Sequence, residues 1–428
     1  MLHGRISLYV ALVASVLTAC GGSSTPAPAP VPPPPPSPSV LQGPTVVNLY
    51  PDGASSDGTR LFVFVTAVGS LALNVPSPLA FDTGSSGMTL YAPTAFPGMA
   101  TACSVDAPTG CGFTFPAGQH SITFNNVTVT DVQATRCYGG VLGHAQTGNI
   151  GFASVTFGDA AGTLTTGVMP ILFYYKITTN PSTSASPTQC DDSGSIVDVP
   201  PQKGWFGVNT AVDGIVIGGI LAKASSPPCT NGVDTTCLVA SVLYYLQYAN
   251  GIDAGFMLTH QSLQMMCSIN SGNCSPTPML TVGLTPTQTA GFNPMALDCS
   301  GTPTFEGFPN CLANIANSGI TVSAADGPIL TTYADAMTLF DSGTPDMILL
   351  PPSGSVLPMT ANTHDIVPGE KVLINLPNGY EFSYSTALTG IDETVVNVTG
   401  IGKNIVGIDF FQNHDFYIDF TTSMEGWH

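Results

Sequence analysis

Two short runs in this chain have the composition for acid–base chemistry by carboxyl groups. They are Leu79-Ala80-Phe81-Asp82-Thr83-Gly84-Ser85-Ser86-Gly87 and Thr338-Leu339-Phe340-Asp341-Ser342-Gly343-Thr344. Each is an apolar stretch that ends in Asp, followed by a small hydroxyl residue, a glycine and another hydroxyl. A further apolar stretch follows each, Met88–Ala92 and Met347–Leu350. One Asp-hydroxyl-Gly run is a common turn sequence. Two copies, one in each half and each ending an apolar strand, predict two equivalent carboxyls brought face to face. Carboxyls held close cannot both ionise easily, so they share one proton. The ionised partner can then take a proton from water while the protonated one polarises a carbonyl, which amide hydrolysis requires. Gly84 and Gly343 are needed where two loops approach closely. The hydroxyls of Thr83, Ser85, Ser342 and Thr344 are expected to satisfy buried carboxylates and loop backbone. This chemistry calls for no metal and no cofactor. Ser86 is no nucleophile elbow, because Gly-x-Ser-x-Gly is absent there.

Elements that position the two runs can be read around them. Val46–Leu49 and Arg60–Gly69 read as strands, with a turn-rich stretch between them. Further strands are expected at Ser121–Thr130, Val155–Phe157, Ile171–Tyr175, Val212–Gly219, Gly255–Leu258 and Met279–Val282. Leu238–Tyr248 carries its apolar groups at helical spacing and predicts one of the few helices. The second half repeats the plan, and Lys371–Phe382 predicts a hairpin turning at Asn378-Gly379. The body is rich in Gly, Pro, Thr, Val and Ile, a mixture that favours strands and turns.

Before the body lies a targeting segment. Arg5 is its single formal charge, and the apolar run Ile6–Leu17 that follows is too short to span a bilayer. It ends in Leu17-Thr18-Ala19-Cys20, which resembles a bacterial lipobox. That resemblance implies a signal peptide over 1–19 and lipidation at Cys20. Residues 20–43 then form a lipidated, Pro-rich tether with Pro32–Pro36 unbroken, an extended spacer with no core of its own. No Asp follows Cys20, which by resemblance to known lipoproteins fits an outer-membrane protein facing the periplasm or the cell surface.

The chain carries eight bases against 27 acids. Nucleic acid is therefore excluded as a partner, since phosphate binding needs Lys and Arg. A chain so poor in bases gathers little positive charge as its carboxylates protonate, so it is expected to stay folded in acid. After Cys20 there are ten cysteines, at 103, 111, 137, 190, 229, 237, 267, 274, 299 and 311. An even number in an exported chain reads as a disulfide framework. Cys103 with Cys111, Cys229 with Cys237, Cys267 with Cys274 and Cys299 with Cys311 suggest themselves, leaving Cys137 with Cys190. Sequence alone does not prove this connectivity. Zinc is the alternative, but no Cys-x-x-Cys occurs and the seven His do not cluster near the cysteines.

Taken in order, these pieces resemble the pepsin-like aspartic proteases. Phe81–Ser86 and Phe340–Thr344 are similar to that family's two catalytic runs. Cys137-Tyr138-Gly139-Gly140 is similar to its flap hairpin. Val212-Asp213-Gly214-Ile215 is similar to the strand behind the first active-site loop, and Ile405-Val406-Gly407 to its counterpart in the second half. The resemblance implies an all-β, bilobal fold with the cleft between an N-terminal lobe over 44–260 and a C-terminal lobe over 261–428. It implies Asp82 and Asp341 as the catalytic pair, with Ser85 and Thr344 bonded to the outer carboxylate oxygens and Tyr138 closing over the substrate. The implied activity is that of an aspartic endopeptidase acting in acid on an extended polypeptide, as a monomer without a cofactor. A catalytically silent surface lipoprotein that binds peptides, glycans or a partner protein is the alternative. Pro345-Asp346 departs from the family pattern, and so does Ile408 where an acid often stands. Residues 41–60 hold a single base, Arg60, so no Lys-rich inhibitory prosegment is present, and activity is expected without zymogen processing.

Overall fold

Runs of β-branched and aromatic residues become strands throughout this computed structural model. The described residues run from 34 to 428, apart from 35, 52–59, 139–142, 180–192, 198–202, 218–219, 222–236, 264–265, 269–277, 300–307, 309, 326, 362–363, 389–391 and 397–401. The signal segment, Cys20 and the tether up to residue 33 lie outside them, as do Gly139, Gly140, Cys190, Cys229 and Cys274. Among the described residues, helix is confined to the short turns Ala92–Ala95, Pro286–Thr289 and Phe410–Asn413 and the 3₁₀ turn Val242–Tyr245.

In the N-terminal half the strands are β1 (Leu61–Val68), β2 (Leu71–Asp82), β3 (Ser86–Tyr91), β4 (Val127–Tyr138), β5 (His144–Ala153), β6 (Val155–Asp159), β7 (Gly162–Thr165), β8 (Met169–Thr179), β9 (Gly204–Val208) and β10 (Asp213–Ile217). In the C-terminal half they are β11 (Ile315–Ser323), β12 (Ile329–Phe340), β13 (Met347–Leu349), β14 (Lys371–Asn375), β15 (Glu381–Ser385), β16 (Thr394–Val396) and β17 (Asn404–Val406). The hydrogen-bonded order β7-β6-β1-β2-β9-β3-β8 matches the order β15-β14-β11-β12-β17-β13-β16 position for position. The senses match as well. β2 runs parallel to β9 and β3 to β8, as β12 runs parallel to β17 and β13 to β16. The molecule is an all-β chain built from two topologically equivalent halves, the two-lobed architecture expected from the sequence.

A six-stranded antiparallel sheet joins the halves. Its order is Thr45–Asn48, Pro278–Leu284, Asp253–Leu258, Phe416–Asp419, Met424–Trp427 and Asn293–Ala296. It supplies the aromatic floor beneath both Asp-bearing strands. The fully buried Phe81 ring lies 5.7 Å from Phe256 and 6.2 Å from Phe206. The buried Phe340 ring lies 4.5 Å from Phe410 and 5.4 Å from Trp427. Burying one such side chain is worth about 1.5–3 kcal/mol, so the residue before each Asp anchors its loop to the core.

The hairpin expected at Lys371–Phe382 forms between β14 and β15, with Gly379 at φ +86° in its turn. Its alternation of exposed and buried residues marks a sheet with one face on the core. The expected helix over Leu238–Tyr248 does not form. Cys237–Val239 pairs with Asp213–Ile215, and a single 3₁₀ turn follows, capped where the Leu243 N–H donates to the Ser241 hydroxyl. Every side chain from Leu238 to Tyr244 is buried. The segment therefore has no polar face, and periodicity alone does not separate helix from strand there. Disulfides join Cys103 to Cys111 and Cys299 to Cys311. Cys137, Cys237 and Cys267 are disulfide-bonded too, and the residues suggested as their partners lie outside the described residues.

Candidate active site

β2 and β12 each end at an Asp, and the turns that follow meet across the boundary between the halves. Thr83 Oγ1 donates to the Phe340 carbonyl at 2.9 Å, and the Ser342 N–H donates to Thr83 Oγ1 at 2.9 Å. In return Ser342 Oγ donates to the Phe81 carbonyl at 2.8 Å, and the Thr83 N–H donates to Ser342 Oγ at 3.2 Å. All four groups are buried. A buried donor or acceptor left unpaired costs about 1–3 kcal/mol, so this reciprocal set strongly favours one register of the loops.

Inside that grip the carboxyls are held alike. The Asp82 Oδ1 accepts from the Gly84 N–H at 2.8 Å, and its Oδ2 from the Ser85 hydroxyl at 2.5 Å. The Asp341 Oδ1 accepts from the Gly343 N–H at 2.8 Å, and its Oδ2 from the Thr344 hydroxyl at 2.7 Å. A Cβ on Gly84 would stand 2.4 Å from Cγ of Asp341, and one on Gly343 would stand 2.6 Å from Cγ of Asp82. Each carboxyl thus lies on the glycine of the opposite loop, and no larger residue fits there. The Asp side chains are 4 % and 8 % exposed. Burial, and then the neighbouring Asp341 carboxyl, push Asp82 well above the ordinary carboxylate range. Two carboxyls so placed are disfavoured from ionising together.

The strand behind the first loop is β9, not the Val212–Ile215 segment. Trp205-Phe206-Gly207 runs parallel to Ala80–Asp82 and antiparallel to β3. Asp213–Ile217 pairs instead with β4, with Cys237–Val239 and with Ile220–Leu221. What decides the place is a glycine that admits the loop backbone. A Cβ on Gly207 would stand 2.6 Å from the Ser85 carbonyl oxygen, and one on Gly407 would stand 2.2 Å from that of Asp346. Ile405-Val406-Gly407 takes the matching place behind the second loop. The signal that identifies β9 is therefore the repeated pattern of two apolar residues, Gly, an apolar residue and Asn or Asp, at Trp205–Asn209 and Ile405–Asp409. Asn209 Nδ2 donates to the Thr83 carbonyl at 2.7 Å and supports the first loop directly.

Tyr138 ends β4 in the hairpin that β4 makes with β5, opposite His144 in register. Its ring is buried and lies flat on Trp205, with centroids 4.4 Å apart and planes at 13°. The Arg136 guanidinium lies 5.4 Å from the centre of the Tyr138 ring. Sequence reasoning missed Trp205, Arg60 and His144 at this place. The Arg60 guanidinium lies over the Trp205 ring at 5.6 Å, and its Nε donates to the Gly343 carbonyl at 2.8 Å. Burial, and then the Arg60 charge, lower His144 to about 4. Asp346, the acid that departs from the family pattern, is pushed up to about 6 by burial and by Glu393. Asp365 adds to that rise, and Arg60 opposes it.

The chain matches no protein-family model and no curated protein. Among solved structures it is similar to the aspartic proteinase from Irpex lacteus, at 14% identity and a TM-score of 0.47, over 90% of this chain and 97% of that chain.

Proposed function

We propose that this chain is an aspartic endopeptidase in which Asp82 and Asp341 share a proton and activate water against a peptide carbonyl. The observation that carries this reading is the reciprocal fit of the halves. Each carboxyl rests on the other loop's glycine and keeps its own hydroxyl and N–H donors. In the first step the ionised carboxyl takes a proton from water, and the oxygen attacks the carbonyl carbon. The protonated carboxyl meanwhile gives its proton to the carbonyl oxygen, which becomes a hydroxyl of the tetrahedral intermediate. In the second step the carboxyl that took its proton from water delivers it to the amide nitrogen, the other carboxylate takes a proton from a hydroxyl of the intermediate, and the C–N bond breaks to leave an acid and an amine, so the pair again holds one proton. Because the pair must hold one proton, activity is expected on the acid side of neutrality. Tyr138 would cover an extended polypeptide from the β4–β5 hairpin, and Ser85 and Thr344 would fix the outer carboxylate oxygens.

The test is cleavage of a diverse unfolded peptide mixture between pH 3 and 7. Asp82→Asn and Asp341→Asn should each lower the rate by about 10²–10⁴-fold, the range that general acid–base groups supply. A folded wild-type protein that cuts nothing at any pH would move the reading to a silent peptide-, glycan- or protein-binding lipoprotein of the same fold. We further propose, from the Leu17–Cys20 run, that the protein is held to a bacterial outer membrane through a lipidated Cys20, facing the periplasm or the cell surface. Cys20→Ala should release it from the membrane fraction, and full retention of that variant would exclude the anchor.

A further inference from the structure

Arg60 is one of only eight bases in the chain, and its side chain touches two elements that the chemistry would need and reaches a third through one of them. It belongs to the N-terminal half, immediately before β1, yet it bonds the backbone of the C-terminal half's Asp341 loop. The carbonyl it binds is that of Gly343, whose N–H donates to Asp341 and whose α-carbon faces the Asp82 carboxyl. Its guanidinium also covers one indole, Trp205, and that indole stacks on Tyr138 of the β4–β5 hairpin. Trp205 is itself on the strand that pairs with Ala80–Asp82. A continuous contact path therefore runs from Tyr138 through Trp205 and Arg60 to the Asp341 loop.

We propose that Arg60 is a positioning residue that holds the Asp341 loop in register with the Tyr138 hairpin, through its Nε bond to the Gly343 carbonyl and its cation–π contact with Trp205. The chemistry explains the choice of residue. A guanidinium is planar, so it can lie on an indole face and donate in its own plane at once; an ammonium does one or the other well. Two titratable groups near Arg60, His144 and Asp346, feel its charge. His144, lowered to about 4 by burial and then by that charge, is neutral above about pH 4. For Asp346, the extra acid of the second run, that charge opposes the rise that burial and Glu393 give it. The reciprocal Thr83–Ser342 grip fixes the floor of the two loops, and Arg60 fixes the rim on the side of the hairpin. Loss of that bond lets Gly343, and with it the Asp341 carboxyl, move by a fraction of an ångström.

This inference rests on the proposed hydrolysis for its kinetic arm only. In the full chain, Arg60→Gln should lower kcat by about 10- to 10²-fold, the cost of a small misplacement of reacting groups. KM should stay within about threefold, because the main-chain contacts of the substrate remain. Arg60→Lys, which keeps the charge and one donor, should recover part of the loss. Hydrogen exchange of the peptide spanning residues 338–347 should quicken in Arg60→Gln, whether or not the protein cleaves anything. Unfolding curves normalise both readings to the folded fraction. Unchanged exchange in that peptide, an unchanged kcat, or a Lys variant no better than Gln would overturn the assignment. If the wild-type protein proves inactive, the proposed hydrolysis falls and the exchange arm still decides the role of Arg60.

Discussion

Seven strands of the N-terminal half can be laid on seven of the C-terminal half without changing an order or a sense, but between the third and fourth of them the halves part company. After β3 the N-terminal chain runs out into the long β4–β5 hairpin that carries Tyr138 and returns to β6. After β13 the C-terminal chain crosses residues 350–370, which hold Pro351, Pro352, Pro358 and Pro368, before reaching β14. Proline cannot donate to a ladder, so that stretch is a poor place to build a second hairpin. The shared strands carry what must be symmetric: two Asp, two glycines, two pairs of hydroxyls. The unshared hairpin carries what must not be. On the proposed reading the substrate is a peptide, which has a direction, so a cover over it would come from one side only.

The sharpest way to break the equivalence of the shared part is at the glycines. Gly84→Ala pushes a methyl into the Asp341 carboxyl, and Gly343→Ala pushes one into Asp82. If the halves are equivalent at the floor, both variants should lose cleavage by about 10²-fold or more, since the reacting groups are displaced directly. The Asp-to-Asn variants set the upper bound. A Gly84→Ala enzyme as fast as wild type would mean that the Asp341 loop can retreat, and that the reciprocal hydroxyl grip does not hold it. Arg60 sharpens the same comparison from the other side. It is a tie supplied from the N-terminal half, and its loss should cost less than either glycine change.

How much of this was legible before folding differs between the same two regions. The floor was legible because its constraints are local. An apolar strand, Asp, a hydroxyl and Gly must follow one another for the carboxyl to meet its own loop's N–H groups, and duplication removed the ambiguity of a single copy. The hydroxyls were read as satisfying buried groups, but the sequence did not say that Thr83 and Ser342 reach across to the opposite loop, since that depends on how the strands pair. The strand behind the first loop was misplaced on Val212–Ile215 for a related reason. Apolar-Asp-Gly-Ile resembles the family's strand in letters, whereas the place belongs to the segment whose glycine admits the loop, Trp205–Val208. Arg60, Trp205 and His144 gave no signal at all. They are scattered over more than 140 positions, and only the parallel pairing of β9 with β2 brings them to one wall.

A smaller and subtler contrast lies just behind the loops. Asn209 and Asp409 occupy equivalent places, two residues past Gly207 and Gly407, but one is an amide and the other an acid. Asn209 binds the Thr83 carbonyl whatever the pH. Asp409 is pushed up to about 7 by burial and by the facing Asp392, with Gln412 opposing the shift. The Tyr384 hydroxyl, raised by burial, feels both acids and adds no positive charge. A carboxyl whose folded value is raised binds its proton more tightly in the native state. Its contribution is therefore complete below about pH 4, the unfolded value, and is lost as pH rises through about 7. Asp346 at about 6 and Glu425 at about 8 act in the same direction, and both lie in the second run or the strands that close the chain. His144, lowered to about 4, acts the other way between about pH 4 and 6.5, but these three raised carboxyls outnumber it, so stability should fall between about pH 4 and 8. Asp409→Asn should leave stability at pH 4 unchanged. At pH 8 it should raise stability by something on the order of 1 kcal/mol, visible as a melting temperature a few degrees higher. Denaturation followed by far-UV circular dichroism across that range checks both statements. Unfolding by pH 4 would contradict the first, and equal gains for the variant at pH 4 and pH 8 would mean that Asp409 acts through packing and not through its proton. If the gain is confined to high pH, the C-terminal half is the one that loosens first as acid is withdrawn, because the N-terminal half has an amide where its twin has a proton to lose.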